Sequence, residues 1–177
     1  MSHLENDTIV NVAQLMKENV GANRTYDLDL GWFALDSDIM ARDIKGQLRL
    51  TRIASGILAT GEVQGVGMIE CVRCLEIYDQ PFHASFDQEY RPLIDIRTGT
   101  PLAPPDPVDD IGTIDEAHEL DISEPLRQEA LLELPMRAIC GEKCPGPDIP
   151  EDPDAGLGDA RLQALAELLD EEPSPGE

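Results

Sequence analysis

The chemistry of this chain is concentrated in four cysteines that form two closely spaced pairs. The first pair is Cys71-Val72-Arg73-Cys74, and the second is Cys140-Gly141-Glu142-Lys143-Cys144. A gap of two to four residues lets both sulfurs of a pair turn toward one point, and two such pairs supply the tetrahedral shell of four thiolates that Zn²⁺ prefers. The spacing therefore predicts one structural zinc site, held by Cys71, Cys74, Cys140 and Cys144, which joins the middle of the chain to its C-terminal third.

Three other uses of these cysteines remain open from the residues alone. They can pack as small apolar thiols, form disulfides, or act as a redox pair at Cys71 and Cys74. The first residues lack the basic and apolar regions of a secretory signal, so we expect a reducing cytoplasm, where structural disulfides are rare. A redox pair normally opens a helix, whereas residues 75–78 predict extended chain followed by a turn.

The charge of the chain limits the kinds of partner it can attract. It has 36 acidic and 13 basic residues, which gives a net charge of -23. Such a surface repels nucleic-acid phosphates and speeds association with basic proteins, although acidity can also serve solubility alone. No apolar run approaches the roughly 20 residues that a membrane helix needs, so we expect no membrane partner.

Hydrophobic periodicity predicts an α+β domain over residues 1–144, built from a small antiparallel sheet and a few packed helices. Apolar and polar residues alternate over 26–30, 44–50 and 82–90, as is typical of half-buried strands joined by hairpins. A further strand returns from Gly56 toward Cys71. It is interrupted by three glycines that we interpret as turn or bulge residues: Gly61, Gly65 and Gly67.

Two short helices complete the predicted domain. Asn11 resembles an N-cap with Gln14 at the third helical position, the arrangement of a capping box. Ser123 resembles the cap of a second helix, which Pro135 ends just before Cys140. Arg127 falls on the apolar side of that helix, so it either reaches solvent or pairs with an acid.

The remaining segments predict little regular structure. Residues 98–122 are rich in proline and acid and contain no Lys or Arg, so we expect a mobile loop. The Pro, Gly and Asp content of residues 145–158 predicts a linker. Residues 172–177 are expected to form a polar tail. Between them, leucines at helical spacing predict an amphipathic helix over 159–171, which docks either on the domain or on a partner.

One basic cluster stands against the overall acidity. Arg42, Lys45, Arg49 and Arg52 lie within eleven residues, with Lys45 and Arg49 on the polar face of a predicted strand. They are the candidate contacts for RNA or another partner, and a solvated strand face is the alternative. The chain has few aromatic residues for a base-stacking platform.

Sequence motifs for catalysis are absent. We find no phosphate-binding Gly-x-x-x-x-Gly-Lys loop, no Gly-x-Ser-x-Gly elbow and no His-Glu-x-x-His helix. Four cysteines around zinc would leave no open position for water, so the predicted metal is structural and we expect no enzyme.

The ordered set of these motifs resembles the YceD-like family, the large ribosomal RNA subunit accumulation proteins of bacteria and plastids. The resemblance covers nearly the whole chain. It rests on Asn11-Val12-Ala13-Gln14-Leu15, Leu50-Thr51-Arg52, Gly56-Ile57-Leu58, Cys71-Val72-Arg73-Cys74-Leu75-Glu76, Asp121-Ile122-Ser123-Glu124-Pro125-Leu126-Arg127 and Leu134-Pro135-Met136 before Cys140 and Cys144. Relatives often carry further cysteines after this point, but Pro145-Gly146-Pro147 follows here and no cysteine remains.

The resemblance implies a noncatalytic role in the accumulation or processing of 23S ribosomal RNA and in assembly of the large subunit. Together with the net charge of -23, it predicts a basic ribosomal protein or a large-subunit assembly intermediate as the partner, and any direct RNA contact would be weak. Two enzyme alternatives stay open: a thiol redox protein using Cys71 and Cys74, and a nucleic-acid-processing enzyme with an unrecognised site.

Overall fold

The protein is built on a sheet that is covered on one face by two helices and a small second sheet. The computed structural model describes residues 2–5, 7–106 and 111–147. Its elements, in chain order, are β1 (Ser2–Glu5), β2 (Ile9–Asn11), α1 (Ala13–Lys17), β3 (Asn23–Ala34), β4 (Met40–Arg52), β5 (Ile57–Glu70), β6 (Ile77–Pro92), β7 (Gly112–Ile114), β8 (Glu119–Asp121) and α2 (Ser123–Glu133).

The larger sheet has the order β1-β3-β4-β5-β6-β7. Its four long central strands form an antiparallel meander, as the alternation of apolar residues predicted. The short edge strands β1 and β7 run parallel to their neighbours β3 and β6, so the sheet is mixed rather than wholly antiparallel. The α+β class is confirmed in this coarse sense.

Strand β5 crosses the sheet without a break, so the interpretation of Gly61 and Gly67 as turn or bulge residues was wrong, whereas Gly65 lies opposite a register shift between Arg42 and Lys45 of β4. Side chains along β5 alternate between buried and partly or fully exposed. All three glycines point to the buried face, where a Cβ at Gly61 would overlap the ring of Phe86 and one at Gly65 would lie 2.8 Å from the ring of Phe82. Glycine is needed here because aromatic rings fill the space above the strand.

The buried face of the sheet is closed by α2, which packs on β6, and by α1, which contacts β4. Leu126 and Ala130 of α2 are fully buried, and Arg127 pairs with Glu124 at 2.7 Å, one of the two outcomes expected for it. The backbone N–H of Ser123 donates to the carboxylate of Asp121 at 2.8 Å, so Asp121, rather than Ser123, supplies the side-chain oxygen at this helix start.

The acidic segment 98–122 is not one continuous loop, and that expectation was wrong for its second half. Strand β7 pairs with the end of β6, and β8 pairs antiparallel with β2 near the start of the chain. Ile114, Leu120 and Ile122 are at most 1% exposed. These isolated apolar residues anchor the segment because each is wholly buried, although acids outnumber apolar residues around them.

Several expectations concern residues outside the described part of the chain. The helix over 159–171, the tail over 172–177 and the linker after Pro147 all lie there. Within the described residues, the helices are too short and too polar to cross a membrane.

Burial of Ile114 gives a direct test of the ordered acidic segment. Ile114→Ala should lower the free energy of unfolding by about 2–5 kcal/mol, because it removes buried methyl groups and leaves a cavity. Thr113→Ala, at the exposed neighbouring position in β7, is the matched control and should change it by less than about 0.5 kcal/mol. Urea denaturation measures both, and equal effects would show that the segment does not anchor the domain.

Candidate metal centre

The four cysteines meet at one end of the sheet. Cys71 directly follows β5 and Cys74 precedes β6, so the first pair lies in the tight connection between the two central strands. Cys140 and Cys144 follow α2, whose last turn brings the chain back across that end. All four sulfur atoms lie within 4.8 Å of one another.

The distances between the sulfurs fit a tetrahedral metal shell. A Zn–S bond of about 2.3 Å places tetrahedral sulfurs about 3.8 Å apart. The Sγ atoms of Cys71 and Cys144 are 3.7 Å apart, and those of Cys74 and Cys140 are also 3.7 Å apart. A disulfide would need about 2.05 Å, and all four cysteines are free thiols. The arrangement is compatible with one metal ion between the two pairs.

Backbone hydrogen bonds hold the first cysteine pair in a knuckle, the turn formed by residues 71–76. The N–H of Leu75 donates to the carbonyl of Cys71 at 2.9 Å, and the N–H of Cys71 donates to the carbonyl of Glu76 at 2.9 Å. Leu75 has a φ of 62°, a left-handed conformation that costs a non-glycine residue about 1–2 kcal/mol. No helix begins at Cys71, as the sequence predicted.

A single backbone contact joins the knuckle to the segment after α2. The N–H of Val72 donates to the carbonyl of Ala138 at 2.9 Å. The N–H of Cys140 also points at the Cys71 sulfur, 3.5 Å away. These two contacts hold Ala138 and Cys140 against the knuckle, so the backbone helps to bring the second cysteine pair to the first.

The electrostatics of the cluster require a positive charge if every thiol is to ionise. Backbone N–H groups of Cys74, Cys140 and Arg73 lower the pKa of Cys71 to about 6. The neighbouring sulfurs of Cys144 and Cys74, followed by burial, raise the pKa of Cys140 to about 12. The thiolate of Cys71 is thus stabilised by backbone N–H groups, whereas Cys140 resists ionisation beside the other sulfurs. A bound cation would remove that repulsion.

Burial differs across the cluster. Cys71 and Cys144 are buried, Cys74 is half-buried and Cys140 is exposed. Four sulfurs would complete a tetrahedral shell and leave no position for water or substrate. A metal bound in this way would hold two parts of the chain together.

The four basic residues that the sequence predicted as partner contacts all lie on β4. Most of them are already paired within the protein. Arg42 pairs with Asp43 and Asp79 at 2.6 Å each, and Lys45 lies 3.5 Å from Asp29. Arg52 donates to the backbone carbonyls of Ile53 and Gly56. Among the described residues, only Arg49 of this set is exposed with neither an ion pair nor a hydrogen bond.

Sequence reasoning missed an apolar groove beside the cysteines. This groove lies between the end of α2 and the adjoining ends of β5 and β6, and it has a volume of about 590 Å³. Its lining includes Ile77, Leu132, Leu134 and Met136, with Asp38 and Glu70 on the rim. The available signal was Leu132, which lies outside the apolar arc of α2 and is 74% exposed.

Comparison with known proteins adds one match. No curated protein and no solved structure matches the chain. A family model described as the large ribosomal RNA subunit accumulation protein YceD matches residues 59–169. This span covers more than half of the chain and includes all four cysteines, α2 and the leucine-rich segment near the C-terminus. The chain therefore belongs to the YceD family of large ribosomal RNA subunit accumulation proteins.

Proposed function

We propose that this chain is a noncatalytic, cytoplasmic factor for accumulation or processing of 23S ribosomal RNA during large-subunit assembly, with its fold held by one structural zinc. The observation that carries the proposal is the family match over residues 59–169. The geometry adds support, because the part of the family domain that precedes and follows α2 converges on four thiols at tetrahedral spacing.

The donor set supports zinc in a structural role. Thiolates are soft ligands that select zinc over the harder cations that prefer oxygen. Within the described residues, these cysteines are the one group of three or more metal-ligating side chains that converge. When bound, the ion would supply positive charge for the thiolates and a crosslink between the knuckle and the segment after α2.

Metal content tests this assignment directly. Protein purified without chelator should carry about one zinc per chain. Cys74→Ser should lower zinc content and thermal stability together, because the energy of binding a folded site is also folding energy. Val72→Ser is the matched control, since it changes an exposed residue of the same knuckle.

Thiol reactivity separates this proposal from a redox enzyme that uses Cys71 and Cys74. In the zinc protein, a thiol reagent should react slowly and faster after chelation. Elemental analysis that finds no metal in fresh, reduced protein, with two rapidly oxidised thiols, would favour the redox alternative and contradict the zinc assignment.

The partner we propose is a basic ribosomal protein or an assembly intermediate that contains one. A net charge of -23 opposes a wide contact with RNA phosphates. The exposed face of the sheet also interleaves its bases with acids: Lys45 lies beside Asp29, and Glu62 lies 3.3 Å from His83. Charge attraction to a basic protein would speed its association and weaken with salt.

Binding measurements test that partner class. The isolated protein should bind protein-free large-subunit RNA weakly at physiological salt and bind a basic ribosomal protein more tightly. If RNA contact occurs, the double variant Lys45→Glu/Arg49→Glu should abolish it and flatten its salt dependence. Lys17→Glu/Arg97→Glu makes the same charge change at other exposed positions and is the control. Tight RNA binding that survives the first reversal would contradict both the partner and the surface.

A cellular measurement tests the role itself. Removal of the chain from its host should lower 23S relative to 16S ribosomal RNA and reduce mature large subunits. Complementation with Cys74→Ser should be weaker than with the intact chain if the zinc-stabilised fold is what functions. An unchanged 23S to 16S ratio, measured by quantitative RNA analysis of growing cells, would refute the proposed function.

A further inference from the structure

The apolar groove is an unusual surface for a protein with so much charge. Three of its side chains are largely uncovered: Ile77 is 64% exposed, Leu132 is 74% exposed and Met136 is fully exposed. Single exposed apolar residues are ordinary, but several that line one concave surface mark a binding site. We therefore expect the groove to bind a segment that has an apolar face.

The charged residues of the groove favour an occupant that carries a positive charge. Asp38 and Glu70 are its charged lining residues. Glu70 is exposed, and within the described part of the chain its carboxylate makes no hydrogen bond or ion pair. An occupant that places one cation beside its apolar face would neutralise this carboxylate.

The C-terminal part of the chain has this combination in its sequence. If residues 159–171 are helical, Leu162, Leu165, Leu168 and Leu169 fall on an arc of about 120° at about 100° per residue. The acids fall on the opposite side. Arg161 is the single basic residue after Lys143, and its position lies within the leucine arc.

The described chain ends close to the groove. Gly146 lies against the guanidinium of Arg73 in the cysteine knuckle. Val72 precedes Arg73 in the knuckle, and its N–H donates to the carbonyl of Ala138. Ala138 in turn lines the groove. Residues 148–161 then connect Pro147 to Leu162, the first leucine of the arc, and a stretch of this length reaches up to about 50 Å when extended.

We infer that the leucine face of residues 159–171 docks in the apolar groove of the same chain, with Arg161 paired to Glu70. Attachment to the same chain gives the segment an effective concentration of about millimolar. A modest apolar contact is then enough to hold it. The family match, which runs on to residue 169, supports a segment that belongs with the folded domain.

Methionine methyl groups provide native probes for this docking. Met68 and Met136 line the groove, whereas Met16 is a buried residue of α1 and serves as the internal reference. In full-length protein labelled at methionine methyls, Leu165→Asp should shift the NMR signals of Met68 and Met136 and leave that of Met16 unchanged. Gln163→Asp, on the opposite side of the predicted helix, should shift none of them.

A charge swap tests the orientation of the segment. Arg161→Glu and Glu70→Arg should each shift the Met136 signal toward its position in Leu165→Asp, because each places like charges together. The double variant should restore the original signal, since it rebuilds the pair with reversed sign. Failure of the double variant to restore the signal would overturn the pairing.

Hydrogen exchange tests the same docking through the backbone amides of residues 162–169. Backbone amides of 162–169 should exchange at least about tenfold more slowly in the intact chain than in Met136→Asp. Val20→Asp, which changes another exposed apolar residue away from the groove, should leave their exchange unchanged.

Three results would overturn docking within one chain. They are groove signals that ignore Leu165→Asp, amides of 162–169 that exchange at the rate of unstructured peptide, and protection that disappears on dilution. The last result would assign the segment to the groove of a second copy. None of these outcomes bears on metal content or on ribosomal RNA levels, so failure here is separable from failure of the proposed function.

Discussion

Repulsion among four neighbouring thiolates is the constraint on which this structure depends. Sulfurs within 4.8 Å of one another cannot all carry charge in the absence of a cation. The same sulfurs come from two parts of the chain that otherwise share few connections: the knuckle between β5 and β6, and the segment after α2. Whatever neutralises the cluster also ties the knuckle to the segment after α2, beside the apolar groove.

The sequence was most informative where its signals were periodic or closely spaced. Alternation located three of the four long strands because each has one buried face, and the spacing of the cysteines identified a cluster whose members are separated by 65 residues or more across the two pairs. The strands β7 and β8 were missed because three residues are too few to show a period, and their acids resemble those of a loop. Parallel pairing of the edges was invisible because it depends on distant parts of the chain.

The basic residues show a different limit of sequence reasoning. The sequence correctly predicted a strand that carries Lys45 and Arg49, and all four residues lie on that strand, β4. It could not show which acidic residues of the neighbouring strands would lie beside them. Asp29 on β3 and Asp79 on β6 are brought to Lys45 and Arg42 by the fold. Local neutralisation of this kind leaves little of the predicted basic cluster free for a partner.

The fit between Gly61 and the ring of Phe86 has a consequence for how this sheet can diverge. The two residues are direct partners on neighbouring strands, and the ring occupies the space that any larger residue at position 61 would need. A side chain gained at position 61 of β5 must therefore be matched by lost volume or a shifted ring at position 86 of β6. Change in this part of the core should proceed by compensated pairs, so apparent tolerance at one position would depend on the residue already present at the other.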